Sequence, residues 1–173
     1  MTILTVLQYP DERLRQVAKP VEAFGAATQK IIDDMFETLY ATESCGGYAA
    51  VQMNIPLRIV VIDYSEKKNE PLCLVNPEIL EKSGELFETE GCLSVPGDTF
   101  ARVKRAKYVK CKAQDRHGKS IIIENDGGYL SRCIQHEIDH LNGTLFIDYL
   151  SPLKRRRLDK RLEKMAKEGV SRA

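Results

Sequence analysis

Apolar residues recur at helical spacing in three segments of the chain, two of them at its C-terminal end. Residues 24–44 are predicted to form the first helix, which Cys45-Gly46-Gly47 ends. Five apolar side chains fall on one face of it: Ile31, Ile32, Met35, Phe36 and Leu39. A second helix is predicted to begin after Asp126-Gly127-Gly128 and to run to about Leu141. A third, highly charged helix is predicted to begin near Ser151-Pro152.

Shorter apolar runs rich in β-branched residues lie between these helices. Arg58–Tyr64 (RIVVIDY) predicts a buried strand, and Leu72–Val75 predicts another that Asn76-Pro77 closes. Residues 108–113 and 119–124 flank the turn Asp115-Arg116-His117-Gly118 and predict a β-hairpin. Strands in the middle of the chain with helices towards its ends favour an α+β fold over an alternating α/β fold.

Composition narrows the class of protein. A chain of 173 residues with 43% hydrophobic and 29% charged residues is typical of one globular domain and argues against global disorder. No apolar run approaches the roughly 18 residues that span a bilayer, and the N-terminus lacks the features of a signal peptide. Five cysteines, an odd number, favour reduced thiols over a disulfide framework. These features together predict a cytoplasmic protein without a membrane partner.

The second predicted helix contains the clearest chemical motif, His136-Glu137-Ile138-Asp139-His140. Histidines at i and i+4 lie on one helical face and can bind a single metal ion, with the intervening glutamate beside them. Apolar residues form the adjacent stripe that would bury this helix: Leu130, Ile134, Ile138 and Leu141. The motif therefore predicts a metal centre on one face of a buried helix.

A catalytic site of this kind needs a third protein ligand. Cys92 lies in a loop-like stretch after Gly91, and a thiolate is a strong ligand for first-row metals, so it is the preferred candidate. Cys133 lies close to the metal face but on the same helix as the histidines, which makes a closed tetrahedral site harder to form. A zincin-type metalloprotease would use a downstream ligand instead, for which Glu163 offers weak support.

Two segments together resemble the signature of bacterial peptide deformylases: EGCLSVPG at 90–97 and QHEIDHLNG at 135–143. A third segment, CGGYAAVQ at 45–52, is similar to the family's G-[IV]-G-L-A-A-P-Q box. The resemblance implies mixed sheets around the helix that carries the histidines, and a metal-dependent hydrolase that removes the formyl group from N-terminal formylmethionine of nascent chains. It also implies a metal that is usually Fe²⁺, with Zn²⁺ or Ni²⁺ able to replace it.

The same resemblance implies roles for individual residues. Cys92, His136 and His140 become the metal ligands, and Glu137 becomes the general acid and base. Gln52 and the backbone N–H of Leu93 become the donors to the developing oxyanion. The strip that contains Gly47 and Tyr48 passes beside the substrate and the methionine pocket.

The chain departs from the family in the box at residues 45–52, and these departures leave alternatives open. Tyr48 replaces leucine, so it either narrows the pocket or points away and packs at the surface. Gly46 replaces a β-branched residue. After the second box, Arg102 is a candidate for a substrate-facing arginine, whereas Arg105 is a candidate for a structural ion pair. A deformylase-like protein with altered substrate choice is therefore an alternative to a deformylase.

The C-terminal segment has its own charge pattern. Residues 151–173 contain nine Lys or Arg and three Asp or Glu, a net charge of +6, so the rest of the chain carries −5. Leu158, Leu162 and Met165 form a narrow apolar stripe along this helix. The segment is either a solvated helix that packs by this stripe, or a contact to ribosomal RNA, as the resemblance implies. A binding protein without enzymatic activity that acts through this basic segment is a further alternative.

Residues 1–150 are accordingly expected to form the catalytic part, with residues 151–173 as a basic helical extension of the same domain. Deletion of residues 154–173 is expected to leave hydrolysis of small peptides largely intact.

Overall fold

Helices at both ends of the chain enclose a strand-rich middle, and a computed structural model describes this arrangement for residues 2–168. The helices are α1 (Ala26–Ala41), α2 (Tyr129–Leu141) and α3 (Pro152–Lys167). The strands are β1 (Gly47–Ala49), β2 (Ile59–Ile62), β3 (Leu72–Ser83), β4 (Leu86–Gly91), β5 (Phe100–Arg105), β6 (Tyr108–Gln114) and β7 (Ser120–Asp126). The predicted α+β class is confirmed.

Two antiparallel sheets surround α2. Five strands form the larger sheet in the order β1-β2-β3-β6-β7, and β4 pairs with β5 in the smaller one. All of these strand pairs are antiparallel, whereas a parallel pairing occurs in an isolated bridge between Lys19 and Leu57. Of the two expected sheet types, mixed or antiparallel, the structure has antiparallel sheets.

The buried apolar side chains form three clusters, and each cluster joins one helix to the strands. Ile134, Ile138 and Leu141 place the apolar stripe of α2 against the larger sheet. Ile32, Met35 and Leu39 of α1 pack on the other side of β1 and β2. Since β1 lies between these two clusters, packing on both sides holds its backbone beside α2.

Most of the predicted elements are present, with shifted ends. The first helix begins two residues inside the predicted 24–44 range and ends at Ala41, where the Thr42 N–H donates to Leu39 O at 3.3 Å. The strand predicted at Arg58–Tyr64 is confined to Ile59–Ile62. The predicted hairpin is confirmed as β6 and β7, and α2 begins and ends where the sequence predicts.

The prediction that Asn76-Pro77 closes the second strand is wrong. β3 continues through both residues to Ser83, with a register shift between Val75 and Glu78 that absorbs them as a bulge. Asn76 adopts a φ of 51°, and its side-chain amide bonds to Val21 N and Val21 O at 2.8 and 2.9 Å. A long-range hydrogen-bond network therefore compensates for a local break signal.

The C-terminal helix α3 is fastened to the body of the molecule. The Ser151 side chain caps it by accepting from Lys154 N, and Leu158 and Leu162 are buried in the third apolar cluster. The Arg161 guanidinium also donates to Thr99 Oγ1 at 2.6 Å. The packing role predicted for the apolar stripe is confirmed. Among the helices of residues 2–168, none has the length and apolar character that crossing a membrane requires.

Candidate functional site

Three side chains with metal-binding atoms converge between α2 and the segment that follows β4. Cys92, His136 and His140 offer one sulfur and two nitrogens, all within 4.8 Å of one another. Cys92 Sγ lies 3.3 Å from His140 Nε2, although 48 residues separate them. The i, i+4 spacing on α2 aligns the two histidines, and the end of β4 brings the thiol to them.

The environment of these residues suits a bound cation. His140 is 1% exposed, and burial followed by the charges of His136 and Arg105 lowers its pKa well below the usual value. A neutral imidazole is the form that binds metals. Among the described residues, His140 Nδ1 and Glu137 Oε2 are buried without a hydrogen-bond partner. A thiolate with two imidazoles is a donor set that first-row divalent metals accept.

The two competing ligands from the sequence line the same cleft but do not join the three donor atoms. Cys133 is buried in the apolar cluster beneath α2, against Gly47, and burial raises its thiol pKa well above the usual value. Glu163 is exposed on α3. Neither belongs to the convergent group of donor atoms found among residues 2–168, so the zincin arrangement with Glu163 finds no support.

Glu90 is a site residue that the sequence reasoning missed. Its Oε2 lies 3.0 Å from His136 Nδ1, which leaves the other ring nitrogen of His136 facing the cluster. Its two oxygens also accept from Arg105 Nε and Nη2 at 2.8 and 2.9 Å. Burial raises the pKa of Glu90, but Arg105 and His136 outweigh burial and lower it to about 2. Glu90 therefore stays charged and orients the ring of His136.

The two candidate arginines have different positions. Arg105 is 6% exposed and joins Glu90 to Asp139 of α2, so the ion-pair alternative is the one that the structure supports. Arg102 is exposed on β5, where its guanidinium lies 4.3 Å from the centre of the Phe87 ring and donates to Phe87 O. Glu90 could have been identified from the sequence by its position directly before Gly91-Cys92. Its ion pair with Arg105 could not, because no local sequence pattern links the two residues.

Glu137 lies at the edge of the cluster in a dry environment. It is 4% exposed, and burial raises the pKa of its carboxyl group to about 7. Gly47 of β1 faces it closely, since a Cβ on Gly47 would lie 3.2 Å from Glu137 Oε1 and 3.1 Å from Cys133 Sγ. A side chain at position 47 would therefore require these neighbours to shift by a few tenths of an ångström. A carboxyl group that titrates near neutral pH is suited to proton transfer.

Gln52 presents its amide group to the same space from a short 3-10 helix at Ala50–Met53. Its Oε1 accepts from Ala49 N at 2.9 Å, which directs Nε2 towards Cys92 Sγ at 3.6 Å and Ser94 Oγ at 3.1 Å. Leu93 follows Cys92, and its carbonyl accepts from Gln8 Nε2 at 2.8 Å. Within residues 2–168, the Leu93 N–H has no hydrogen-bond acceptor. The Leu93 N–H is therefore available as a donor next to the cluster, and the Gln52 amide is a second donor there that bonds to Ser94 and Cys92.

These residues line a cleft of about 1550 Å³, which extends from the strip before β1 to α3. Tyr48 belongs to its lining, but the ring is 1% exposed and packs among the residues of α1, with its hydroxyl 3.3 Å from Thr42 Oγ1. The alternative that Tyr48 packs at the surface is therefore wrong. Because side chains alternate along β1, Gly47 and Ala49 face α2 while Tyr48 faces α1.

Comparisons with known proteins agree with this geometry. The sequence profile of the polypeptide deformylase family matches residues 3–156. The chain is 54% identical over 166 residues to peptide deformylase 1 of Coxiella burnetii, covering 95% of this chain and 97% of that protein.

Solved structures agree as well. A peptide deformylase from Legionella pneumophila superimposes with a TM-score of 0.90 at 46% identity, covering 99% of this chain and 100% of that one. The actinonin complex of the Ehrlichia chaffeensis enzyme gives a TM-score of 0.87 at 38% identity, covering 95% of this chain and 98% of that one. The chain therefore belongs to the peptide deformylase family, whose members are hydrolases that remove the formyl group from the N-terminus of nascent polypeptides.

Proposed function

We propose that Cys92, His136 and His140 hold one divalent metal ion, Fe²⁺ in the physiological enzyme, with Zn²⁺ or Ni²⁺ able to take its place. The observation that carries this proposal is the convergence of one sulfur and two nitrogen atoms within 4.8 Å. A bound divalent ion supplies Lewis acidity towards the formyl carbonyl and lowers the pKa of water. The substrate is the N-formylmethionyl end of a nascent chain.

Glu137 is the proton carrier in this proposal. Its carboxylate accepts a proton from the attacking water, and the resulting acid donates that proton to the departing amine. Burial, which raises its pKa to about 7, makes both transfers feasible near neutral pH. The unpartnered Glu137 Oε2 is the oxygen free to receive the proton.

Gln52 Nε2 and the Leu93 N–H donate to the formyl oxygen as negative charge develops on it. The orientation of the Gln52 amide is set in advance by the bond from Ala49 N to its Oε1, so the side chain needs little movement when Nε2 exchanges Cys92 Sγ or Ser94 Oγ for the formyl oxygen. Gly47 and Tyr48 present their backbone along the cleft, where an extended peptide can lie beside β1. The buried ring of Tyr48 supports this strip from behind.

Substitution Cys92→Ser is expected to lower metal affinity and, with it, formate release from a formyl-Met peptide by anaerobically iron-loaded protein. An alcohol is a much poorer ligand than a thiolate for these ions. In cobalt-loaded protein, the sulfur-to-cobalt charge-transfer band should disappear. Cys73→Ser is a matched control, because Cys73 lies in β3 and outside the cleft lining. A band that persists in Cys92→Ser protein would identify another sulfur ligand.

We also propose that α3 contacts the ribosome in the cytoplasm, and that residues 151–173 act as a basic extension of the catalytic domain. Seven of its basic side chains are exposed: Lys154, Arg156, Arg157, Lys160, Arg161, Lys164 and Lys167. Within residues 2–168, no ion pair involves Arg156, Arg157 or Lys160, so their charge is available for phosphate groups. The formylated terminus emerges at the ribosome, which places the substrate at the same location.

The structure changes the design of the truncation experiment. Deletion of residues 154–173 removes Leu158 and Leu162 from an apolar cluster that also includes Val95, three residues after Cys92. The deletion would therefore disturb the packing near the site, and the effect of the lost basic charge could not be measured separately. The joint substitution of Arg156, Arg157 and Lys160 by Gln avoids this problem, because these side chains are exposed.

This triple variant should co-sediment less with ribosomes at low salt, while its hydrolysis of small formyl peptides stays unchanged. Neutralising Lys67, Lys82 and Lys119, which are exposed outside α3, should leave co-sedimentation near that of the unmodified protein. Ribosome binding should also weaken steeply as salt rises, because it depends on counterion release. Undiminished co-sedimentation of the α3 variant would contradict the ribosome proposal.

A further inference from the structure

Two neighbouring residues near the N-terminus bond to the two segments that carry the proposed oxyanion donors. Leu7 N donates to Gln52 O at 2.7 Å. The side chain of Gln8 donates through Nε2 to Leu93 O at 2.8 Å, although the two residues are 85 positions apart in the chain. This stretch therefore joins the residue that offers one donor to the residue that offers the other.

Leu93 lies in a turn that begins at the proposed metal ligand Cys92. Val95 N donates to Cys92 O at 2.9 Å, which closes a β-turn with Leu93 and Ser94 as its central residues. In a trans peptide the C=O and the N–H point in opposite directions. Because Cys92 O points into the turn, the Leu93 N–H of the same peptide points out of it, and both residues line the cleft.

The direction of the Leu93 N–H is kept only while the turn keeps its conformation. Turns of types I and II differ chiefly by a rotation of their central peptide, which here joins Leu93 to Ser94. Neither residue has a positive φ, so the turn is not of type II. Gln8 Nε2 bonds to the carbonyl oxygen of this central peptide, and Tyr9 N donates to the following one, Ser94 O, at 2.7 Å. Within residues 2–168, Gln8 provides the hydrogen bond that Leu93 O receives.

We propose that Gln8 is a positioning residue that holds this turn, so that the Leu93 N–H is directed at the formyl oxygen. The proposal rests on the hydrolysis and on the donor role of Leu93 described above. Gln8 acts through Leu93 rather than on the substrate. Because an oxyanion donor binds more strongly in the transition state than in the ground state, the loss of Gln8 affects kcat more than KM.

The side chain of Gln8 can be changed without disturbing the core, because it is exposed and the backbone bonds on either side of it remain. Gln8→Met keeps the length but removes the donor. It should lower kcat for formyl-Met-Ala-Ser by metal-loaded protein about three- to tenfold, which is the net effect of one hydrogen bond, with KM near the wild-type value. Gln8→Lys restores a donor of similar reach and should recover most of kcat. Gln16→Met, exposed and outside the cleft lining, is the matched control.

Hydrogen exchange of the Val95 amide, followed by NMR in zinc-loaded protein, reports on the turn independently of activity. This amide bonds to Cys92 O, so it exchanges slowly while the turn is closed. Exchange should be faster in Gln8→Met protein and return towards the wild-type rate in Gln8→Lys protein. The sulfur-to-cobalt band of cobalt-loaded protein should be the same in both variants, because Cys92 stays in place as the ligand.

Four results would overturn the proposal. The first is an unchanged kcat in Gln8→Met protein, and the second is a rise in KM alone, which would assign Gln8 to substrate binding. The third is a failure of Gln8→Lys to recover kcat, and the fourth is a Val95 exchange rate equal in Gln8→Met and wild-type protein. Absence of formate release by the metal-loaded wild type would instead contradict the hydrolytic function. Because the exchange measurement does not depend on that activity, the two failures are distinguishable.

Discussion

Glu137→Gln is expected to retain one metal ion per chain and to lose about 100- to 10,000-fold in kcat for formyl-Met peptides. The amide keeps the shape of the side chain but cannot carry the proton from water to the amine. Metal content by elemental analysis and formate release measure the two effects separately. Glu124→Gln, which changes an exposed carboxylate on β7, should leave both unchanged.

Metal loss in Glu137→Gln protein comparable to that of Cys92→Ser would show that Glu137 is a ligand rather than a proton carrier. The pH profile gives a further check. A carboxyl group whose pKa is raised to about 7 is protonated below that pH and cannot act as a base. The kcat/KM of the wild type should therefore fall on the acidic side, and a bound cation shifts this limb to lower pH because it favours the carboxylate.

Arg105→Met is expected to destabilise the fold by about 3–5 kcal/mol, because it leaves two acidic groups without their buried counter-charge. Arg105 is 6% exposed and contacts both Glu90 and Asp139. Metal affinity should also fall about 10- to 100-fold, since Glu90 orients His136 from behind. Denaturant unfolding of the metal-free proteins and competition with a chelator measure the two effects.

Arg102→Met is the matched control for this prediction. Arg102 lies on the same strand three residues earlier, but it is exposed, so its replacement should change stability little. The pH dependence has a definite sign. Glu90 has a pKa lowered from 4.5 to about 2, so its contribution is present above pH 4.5 and is lost as the pH falls towards 2. Equal stability of Arg105→Met and wild-type protein at neutral pH would contradict this assignment.

The sequence was sufficient for those features that depend on local geometry. His136 and His140 share a helical face because of their spacing alone, and α2 has the predicted ends. The β6–β7 hairpin forms where a turn sequence joins two runs of strand-forming residues. The break predicted at Asn76-Pro77 failed because the side chain of Asn76 finds partners in distant segments, a compensation that no local pattern contains.

The hairpin of β4 and β5 shows a related limit. The sequences of its strands, LFETEG and FARVKR, do not alternate regularly between apolar and polar residues and are rich in charge. The sequence therefore gives little indication that they are strands. The hairpin is nevertheless decisive for the site, because Glu90 of β4 and Arg105 of β5 both reach α2 and bond to each other there, although the register pairs them with Ala101 and Leu86. Cys92, at the end of the same hairpin arm, then reaches His140.

By itself, therefore, the sequence determined the helix that carries the chemistry, the residue types of the donor set and, through resemblance, the family. Only the tertiary structure decided that Glu90 supports His136, that Tyr48 is buried behind the strip, and that Gln8 bonds to Leu93. The physical reason is the range of the interactions involved. Helical periodicity and turns act over a few residues and can be read from the chain, whereas packing and buried ion pairs join segments that meet only when the sheets and helices close around α2.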